Sequence, residues 1–188
     1  QLSPAQMYFI GILEDARTLR VKDELLRADK IFLNVGGRAA VPDIPGLESL
    51  EFLTNSEMVN LDYLPRHLVI IGGSYIGLEF GQMFHRFGSE ITIVELAPRP
   101  IPREDEDISE EIKKILQAEG VNFRLNAECI GVKKDGKEIV VSVDCKEGTP
   151  EIHGSDLLLA VGRTPNTHDL GLEKAGVETD KRGFIIVD

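Results

Sequence analysis

Gly72, Ser74, Gly77 and Glu95 are the residues whose types and spacing point to chemistry. Leu68-Val69-Ile70-Ile71 is an apolar run rich in β-branched residues, as a buried strand is. It stops at Gly72-Gly73-Ser74. Helical spacing follows, with Ile76, Phe80, Met83, Phe84 and Phe87 on one face. Gly88 suits the left-handed position past the end of such a helix. A strand, a tight bend and a helix in this order leave backbone N–H groups unpaired at the helix start, with the positive end of the helix dipole behind them. That arrangement can hold a diphosphate. Gly72 allows the bend, and Gly77 lets the helix lie close to the strand. Ser74 replaces the middle glycine of G-x-G-x-x-G, and its hydroxyl can cap the helix or meet a phosphate oxygen. Taken alone, the pattern also fits a plain strand-to-helix turn.

The second strand adds a selective group. Glu90-Ile91-Thr92-Ile93-Val94-Glu95 is apolar, β-branched and ends on an acid. An acid about 20 residues after the glycines, at the tip of the second strand, accepts the ribose hydroxyls of a dinucleotide. A carboxylate there repels a 2′-phosphate, so Glu95 favours NAD over NADP. Arg99, four residues on, keeps NADP open.

These residues need elements to position them. Across the 188 residues, 42% are hydrophobic and 28% charged, ordinary for a globular chain with one sizeable core and part of a second. A net charge of −11 argues against a nucleic-acid partner, which needs a basic face. No apolar run is long enough to span a bilayer and no basic-then-apolar leader opens the chain, so a cytoplasmic location is expected, with no membrane partner. Cys129 and Cys145 do not form C-x-x-C and have no histidine cluster beside them. No metal site is expected, and reduced thiols or a disulfide between the two both stay open.

Taken in order, residues 8–12 and 18–21 look like strands, with a hairpin around Lys22-Asp23. Residues 28–37 read as a buried strand ending in two glycines, which fits either a loop or a close approach of backbone to ligand. A short helix is expected near residues 56–60, capped by Thr54 or Asn55. Pro98, Pro100 and Pro102 force an extended loop after Glu95. Residues 105–119 are helical, with Ile108, Ile112, Ile115 and Leu116 apolar and Gly120 at the end. The acids 104–107 read as dipole complements and solvated surface. Residues 121–125 form a third strand. Asp135-Gly136 joins two alternating runs in a hairpin. Residues 156–162 make another buried strand ending at Gly162, 170–175 a short helix and 183–188 a closing strand. The fold class is α/β: a Rossmann-like dinucleotide-binding domain, with a parallel sheet, helices and an antiparallel β-meander.

Gly-Gly-Ser-Tyr-Ile-Gly-Leu-Glu at 72–79, Val-Glu at 94–95, Arg-Glu-Asp-Glu-Asp at 103–107 and Ala-Val-Gly-Arg-Thr-Pro-Asn at 160–166 resemble the pyridine nucleotide-disulfide oxidoreductases, dihydrolipoamide dehydrogenase and mercuric-reductase-like proteins above all. The resemblance implies an NAD-binding domain inserted into an FAD/NAD(P)-binding domain. Residues 1–64 then correspond to an FAD-domain segment and linker, 65–162 to the NAD(P)-binding domain and 163–188 to the return. It implies cofactor contacts from Gly72, Gly73, Ser74, Tyr75, Ile76 and Gly77 to the pyrophosphate, Glu95 to the adenosine ribose and Cys129 to the adenine through backbone. Gly162 approaches the nicotinamide side. Tyr75 matches the residue that swings aside for nicotinamide, and Glu79 the acid that orients its carboxamide. Val35, Gly36 and Gly37 match the segment leaving the flavin, although Asn34 and Val35 depart from the usual Ala-Thr-Gly pattern.

The chain therefore resembles the middle of a longer flavoenzyme, inactive by itself, whose parent is a homodimer. The implied activity passes hydride from NADH to FAD and on to a disulfide or another acceptor. Two alternatives are a flavin reductase or NADH oxidase without redox cysteines, and a non-enzymatic NAD-binding module.

Overall fold

The computed structural model describes residues 11–144 and 150–187, with the side chains of residues 128–130 left aside. Part of the expected strand at 8–12, Cys145 and Asp188 lie outside the described residues. The chain divides into two compact units, residues 1–38 with 163–188, and residues 39–162.

In the first unit, β1 (Gly11–Asp15), β2 (Thr18–Val21) and β3 (Glu24–Arg27) form an antiparallel meander. Lys22 takes a positive φ of 53° at the β2–β3 turn, where the sequence places the hairpin. β4 (Gly37–Ala39) is a short strand. Residues 28–36 are not the buried strand expected. Ile31, Leu33 and Val35 pack toward Leu13, Leu170 and Leu172, while Phe32 between them is 88% exposed. The period of two is that of an extended chain with one covered face, but no ladder is assigned there.

The second unit holds the glycine bend. α1 (Asn55–Met58) opens on a capping box, with Thr54 N–H donating to Glu57 at 2.8 Å and Ser56 N–H to the Thr54 hydroxyl at 3.3 Å. Then come β5 (His67–Ile71), α2 (Tyr75–Phe87), β6 (Glu90–Val94), α3 (Glu106–Glu119), β7 (Asn122–Arg124), β8 (Glu128–Asp135), β9 (Glu138–Asp144), β10 (Glu151–Gly154) and β11 (Asp156–Leu159). β12 (Arg163–Pro165) returns to pair with β4 in the first unit. Four parallel strands stand in the order β11-β5-β6-β7, and β8, β9 and β10 form a separate antiparallel meander.

The central strands are largely apolar because both their faces are covered, the buried His67 and Thr92 being polar exceptions. Val69, Ile71, Val94, Leu157 and Leu159 meet Val132, Val141, Val143 and Ile152 of the meander. Leu68, Ile70, Ile91, Ile93 and Leu158 meet Leu78 and Phe84 of α2 and Leu116 of α3. Alternate residues of each strand serve opposite layers, as the pleat requires. Full burial of one such side chain contributes about 1.5–3 kcal/mol. Residues 39–64, which the sequence reading groups with the first segment, belong to this unit: Leu47 and Met58 enter its cores, and Leu53 N–H donates to Leu157 C=O at 2.7 Å.

Three expectations need correction. Met83 and Phe87 are exposed, and the buried stripe of α2 is Gly77, Leu78, Gly81 and Phe84. Glycines bring the backbone itself to the strands, a contact that counting apolar side chains misses. On α3, Ile108 and Ile115 are about half exposed, and the buried positions are Ser109 and Leu116. Ser109 is buried because its hydroxyl donates to Pro100 C=O. Residues 183–188 make no strand among the described residues, only an isolated bridge from Ile185 to Thr179. No helix among the described residues is long and apolar enough to cross a membrane.

His67 opens β5 almost fully buried, its Nε2 2.9 Å from the Thr92 hydroxyl and its Nδ1 3.8 Å from Glu90. Burial lowers its pKa below the ordinary 6.5, against an opposing pull from Glu90. Below pH 6.5 the unfolded chain therefore binds a proton that the folded chain resists. The stability held by neutral His67 is complete above that pH, falls as the pH drops below it and levels off under the depressed folded value. Thermal melts of the wild type between pH 7.5 and 5 are expected to show this loss, and His67→Gln to flatten it. An unchanged slope in the variant would assign the acid sensitivity elsewhere.

Candidate functional site

The bend lies at the carboxyl edge of the parallel sheet, where β5 and β11 adjoin and the strand order turns back. Open α/β sheets bind ligands at such a switch point. Gly72 N–H donates to Val94 C=O at 2.8 Å, and Ala160 N–H to Ile71 C=O at 2.8 Å, so three strand ends are tied together under the bend. Gly72 has φ 112°, and a Cβ on it would stand 2.4 Å from Ala160 O. A Cβ on Gly77 would stand 2.0 Å from Gly72 O. The helix thus begins with its third residue in backbone contact with the bend, which no side chain permits.

Ser74 precedes α2 in extended conformation, and its hydroxyl makes no capping bond. The capping role allowed by the sequence is not taken. Leu78 N–H donates to Ser74 C=O at 3.0 Å and begins the helical ladder. The amides of Tyr75, Ile76 and Gly77 precede it and have no partner within the helix. They carry the positive end of a 13-residue helix dipole.

Glu95 sits beside them. Its Oε2 accepts from Gly73 N–H at 2.6 Å and its Oε1 from Ala97 N–H at 2.8 Å. Glu95 N–H donates to Arg124 C=O and its carbonyl accepts from Ala127, so the backbone at the strand tip is fixed as well. A carboxylate has about four lone-pair directions. Two are used by amides, and two remain for a pair of neighbouring hydroxyls. A Cβ on Gly73 would come within 3.0 Å of the Glu95 Cβ, so glycine at 73 lets the carboxylate close on the bend. Arg99 is part-buried and reaches toward the exposed Glu106, 3.6 Å away, while its Nε is buried without a hydrogen-bond partner.

Tyr75 is half exposed, and its hydroxyl donates to Glu104, an acid the sequence reading leaves as solvated surface. That bond is the leading cause of the raised Tyr75 pKa. Glu79 is exposed and lines, with Tyr75, Leu78, Gln82, Ile101 and Ile115, a groove of about 300 Å³ between α2 and α3. Gly162 is exposed with φ 125°, and its carbonyl accepts from Ala40 N–H at 2.9 Å. It lies two residues beyond Ala160, the residue against which Gly72 packs. The Cys129 backbone lies in β8 opposite Val143, two residues beyond Ala127.

Val35, Gly36 and Gly37 belong to the first unit, and protein groups engage their backbones. Asn166 Nδ2 donates to Val35 C=O at 3.1 Å, Asn166 N–H to Gly36 C=O at 3.1 Å, and Arg163 to Gly37 C=O. Arg38 completes the clamp with a 3.1 Å bond to Asn166 Oδ1. A Cβ on Gly37 would meet Thr164 O at 2.9 Å, so this glycine answers a contact within the chain. The roles of Asn166, Arg163 and Glu104 have no signal in periodicity. Only the polar residues of the Arg-Thr-Pro-Asn turn hint at the first two. No group of three or more His, Cys, Asp or Glu residues able to hold a metal ion occurs among the described residues.

A parallel sheet with helices on one face and a meander on the other makes this a mixed α/β protein, consistent with a Rossmann-like flavoprotein fold. Residues 6–188 match the family described as pyridine nucleotide-disulphide oxidoreductase, and the chain belongs to it. It is 38% identical over 177 residues to a mercuric reductase of Lysinibacillus sphaericus, covering 93% of this chain and 32% of that protein. It is 37% identical over 187 residues to a dihydrolipoamide dehydrogenase of Chaetomium thermophilum, covering 95% and 37%. The solved structure of the HOCl-induced flavoprotein disulfide reductase RclA from Escherichia coli superposes with a TM-score of 0.84 at 37% identity, covering 95% of this chain and 40% of that one. The chain spans about a third of the length of these curated relatives.

Gly77→Ala is expected to destabilise the chain by about 1–3 kcal/mol in urea denaturation, because the methyl meets a backbone carbonyl that cannot turn away. Gly81→Ala meets only the flexible ends of Ile93 and Ile70, at 3.2 and 3.3 Å, and gains helix propensity worth about 1 kcal/mol. It is expected to be near neutral. Equal costs at the two positions would contradict the backbone contact.

Proposed function

We propose that residues 39–162 are the NAD(H)-binding portion of a flavin-dependent pyridine nucleotide-disulfide oxidoreductase. The observation that carries this reading is the Gly73–Glu95 hydrogen bond. It sets a carboxylate with free lone pairs next to the unpaired amides of α2, at the edge where the strand order reverses. The residues fit the coenzyme: the bend is shaped by two glycines whose Cβ atoms would collide with backbone, and the helix start has donors for an anion.

The chemistry of the whole protein, when nicotinamide and flavin are bound, is hydride transfer from NADH to FAD and onward to a disulfide or another acceptor. This chain's part is binding and orientation. The amides of Tyr75, Ile76 and Gly77 receive the diphosphate. Glu95, held by Gly73 and Ala97, receives the ribose hydroxyls and repels a phosphate on the 2′ oxygen. Tyr75 and Glu79 flank the nicotinamide end, Gly162 approaches it from β11, and Cys129 borders the adenine through its backbone. Val35, Gly36 and Gly37 stand near the flavin in the whole protein, with Asn166 fixing their conformation. Relatives named for mercuric ion and for disulfide reduction show that the acceptor varies within the family.

Titration calorimetry of this chain with NADH and NADPH is expected to give tighter binding of NADH. Glu95→Ala should weaken NADH about 10- to 100-fold, the worth of hydrogen bonds to a charged group, and leave NADPH less affected. Tighter NADPH binding by the wild type would overturn the role given to Glu95. Failure of the folded chain to bind either coenzyme would overturn the reading as a whole.

A further inference from the structure

The chain leaves β7 through an irregular step. β6 and β7 pair through Val94 and Arg124. Glu95 continues the ladder, its N–H donating to Arg124 C=O at 2.8 Å. In a regular parallel ladder the Glu95 carbonyl would then accept from residue 126. Ala127 N–H takes it instead, at 3.0 Å, one residue later. Asn126 is the extra residue of a bulge, with a φ of 52°. Its N–H is turned aside and donates to Ala97 C=O at 3.0 Å. Ala127 is buried in the core on the meander side, which anchors the far end of the step.

That bond reaches the candidate site through Ala97, which donates its own N–H to Glu95 Oε1 at 2.8 Å. Pro98 follows and confines Ala97 to extended backbone, so its carbonyl and its N–H move together. Asn126 thus holds Ala97, and Ala97 holds the carboxylate. The Asn126 side chain is exposed and makes no hydrogen bond among the described residues. What the position demands is a residue at ease with positive φ, which asparagine is and β-branched residues are not.

We propose that Asn126 is a positioning residue for coenzyme selection: its left-handed backbone, acting through Ala97, sets the direction in which Glu95 meets the ribose. The inference rests on the reading of Glu95 as the ribose acceptor and adds what aims it. A bulge that merely turned the chain into β8 would affect stability and leave the choice of coenzyme alone.

Calorimetry with NADH and NADPH tests this, on the wild-type chain and on variants shown by circular dichroism to be folded. Asn126→Val is expected to narrow the preference for NADH roughly 3- to 10-fold, the range of one net hydrogen bond, mainly by weakening NADH. Asn126→Ala, also strained at positive φ, should shift the ratio the same way by less. Asn126→Gly takes a positive φ freely and should retain the preference. In Glu95→Ala/Asn126→Val the ratio should match that of Glu95→Ala alone, because Asn126 acts only through that acid. Four results overturn the proposal and leave the reading of Glu95 intact: an unchanged ratio in Asn126→Val, an equal loss of both coenzymes, an additive effect in the double variant, or a narrowing by Asn126→Gly as large as that by Asn126→Val. Failure of both Asn126→Val and Asn126→Ala to fold overturns it too, since the residue would then serve the fold. A folded wild type that binds neither coenzyme, or prefers NADPH, overturns the reading of Glu95, and this inference with it.

Discussion

The contact between Gly77 and the Gly72 carbonyl is the constraint from which the site follows. With 2.0 Å between that oxygen and any Cβ at 77, the first turn of α2 lies directly on the chain reversal after β5. Its axis and its unpaired amides are then aimed by backbone geometry, which side-chain motion cannot blur. The two glycines are the cost. Each gives up more chain entropy on folding than alanine would, by roughly 0.5–1 kcal/mol. The buried strand ends that the bend joins offset it. Val94 and Ile71, both buried, carry the carbonyls that hold Gly72 and Ala160.

The double-faced core makes this edge rigid enough to matter. Leu68 and Ile70 face the helices while Val69 and Ile71 face the meander, so a slip of β5 by one residue would exchange both sets at once. Register is therefore held from two sides, and the height of the bend above the sheet is held with it. Glu95 inherits this precision. Its backbone is locked to Arg124 and Ala127 and its carboxylate to Gly73 and Ala97, so the acid is placed by four amide or carbonyl contacts.

How much of this was legible in the sequence depends on which forces decide each element. The inner parallel strands were plain from their largely apolar runs, since two covered faces leave little room for polar residues beyond the paired His67 and Thr92. The Asp135-Gly136 hairpin and the Lys22-Asp23 turn were plain from local chemistry, and Gly136 indeed has φ 60°. The bend and the acid after the second strand were readable because glycine and carboxylate have few substitutes there. The faces of α2 and α3 were legible in part: Phe84 and Leu116 are buried, and Ile76, Phe80 and Ile112 pack against the same core. On α2 the buried stripe also includes Gly77 and Gly81, which carry no hydrophobic signal. On α3 the buried positions include Ser109, whose hydroxyl donates to Pro100 C=O, while Ile108 and Ile115 are about half exposed. Residues 28–36 misled because an extended chain with one covered face has the same pattern as a strand. The Asn166 clamp and the Tyr75–Glu104 bond join residues distant in sequence, 131 and 29 apart, through single polar contacts that leave no period.

An acidic chain is an unlikely-looking host for a polyanion only if the anion must be met by cations. At the proposed site the donors would be peptide N–H groups and a helix dipole, which add no net charge and need no lysine or arginine. The net charge of −11 is spread over the molecule, and beyond about 8 Å physiological salt screens most of it. What acts at close range is one carboxylate whose direction the bend itself sets. The proposed site thus separates two tasks that a cationic cluster would merge. In that reading backbone amides would donate to any diphosphate, and Glu95 would select the sugar that follows it. Because the Gly73 amide holds the acid while its neighbours along α2 would hold the anion of the proposed site, attraction and selection would share one turn of chain.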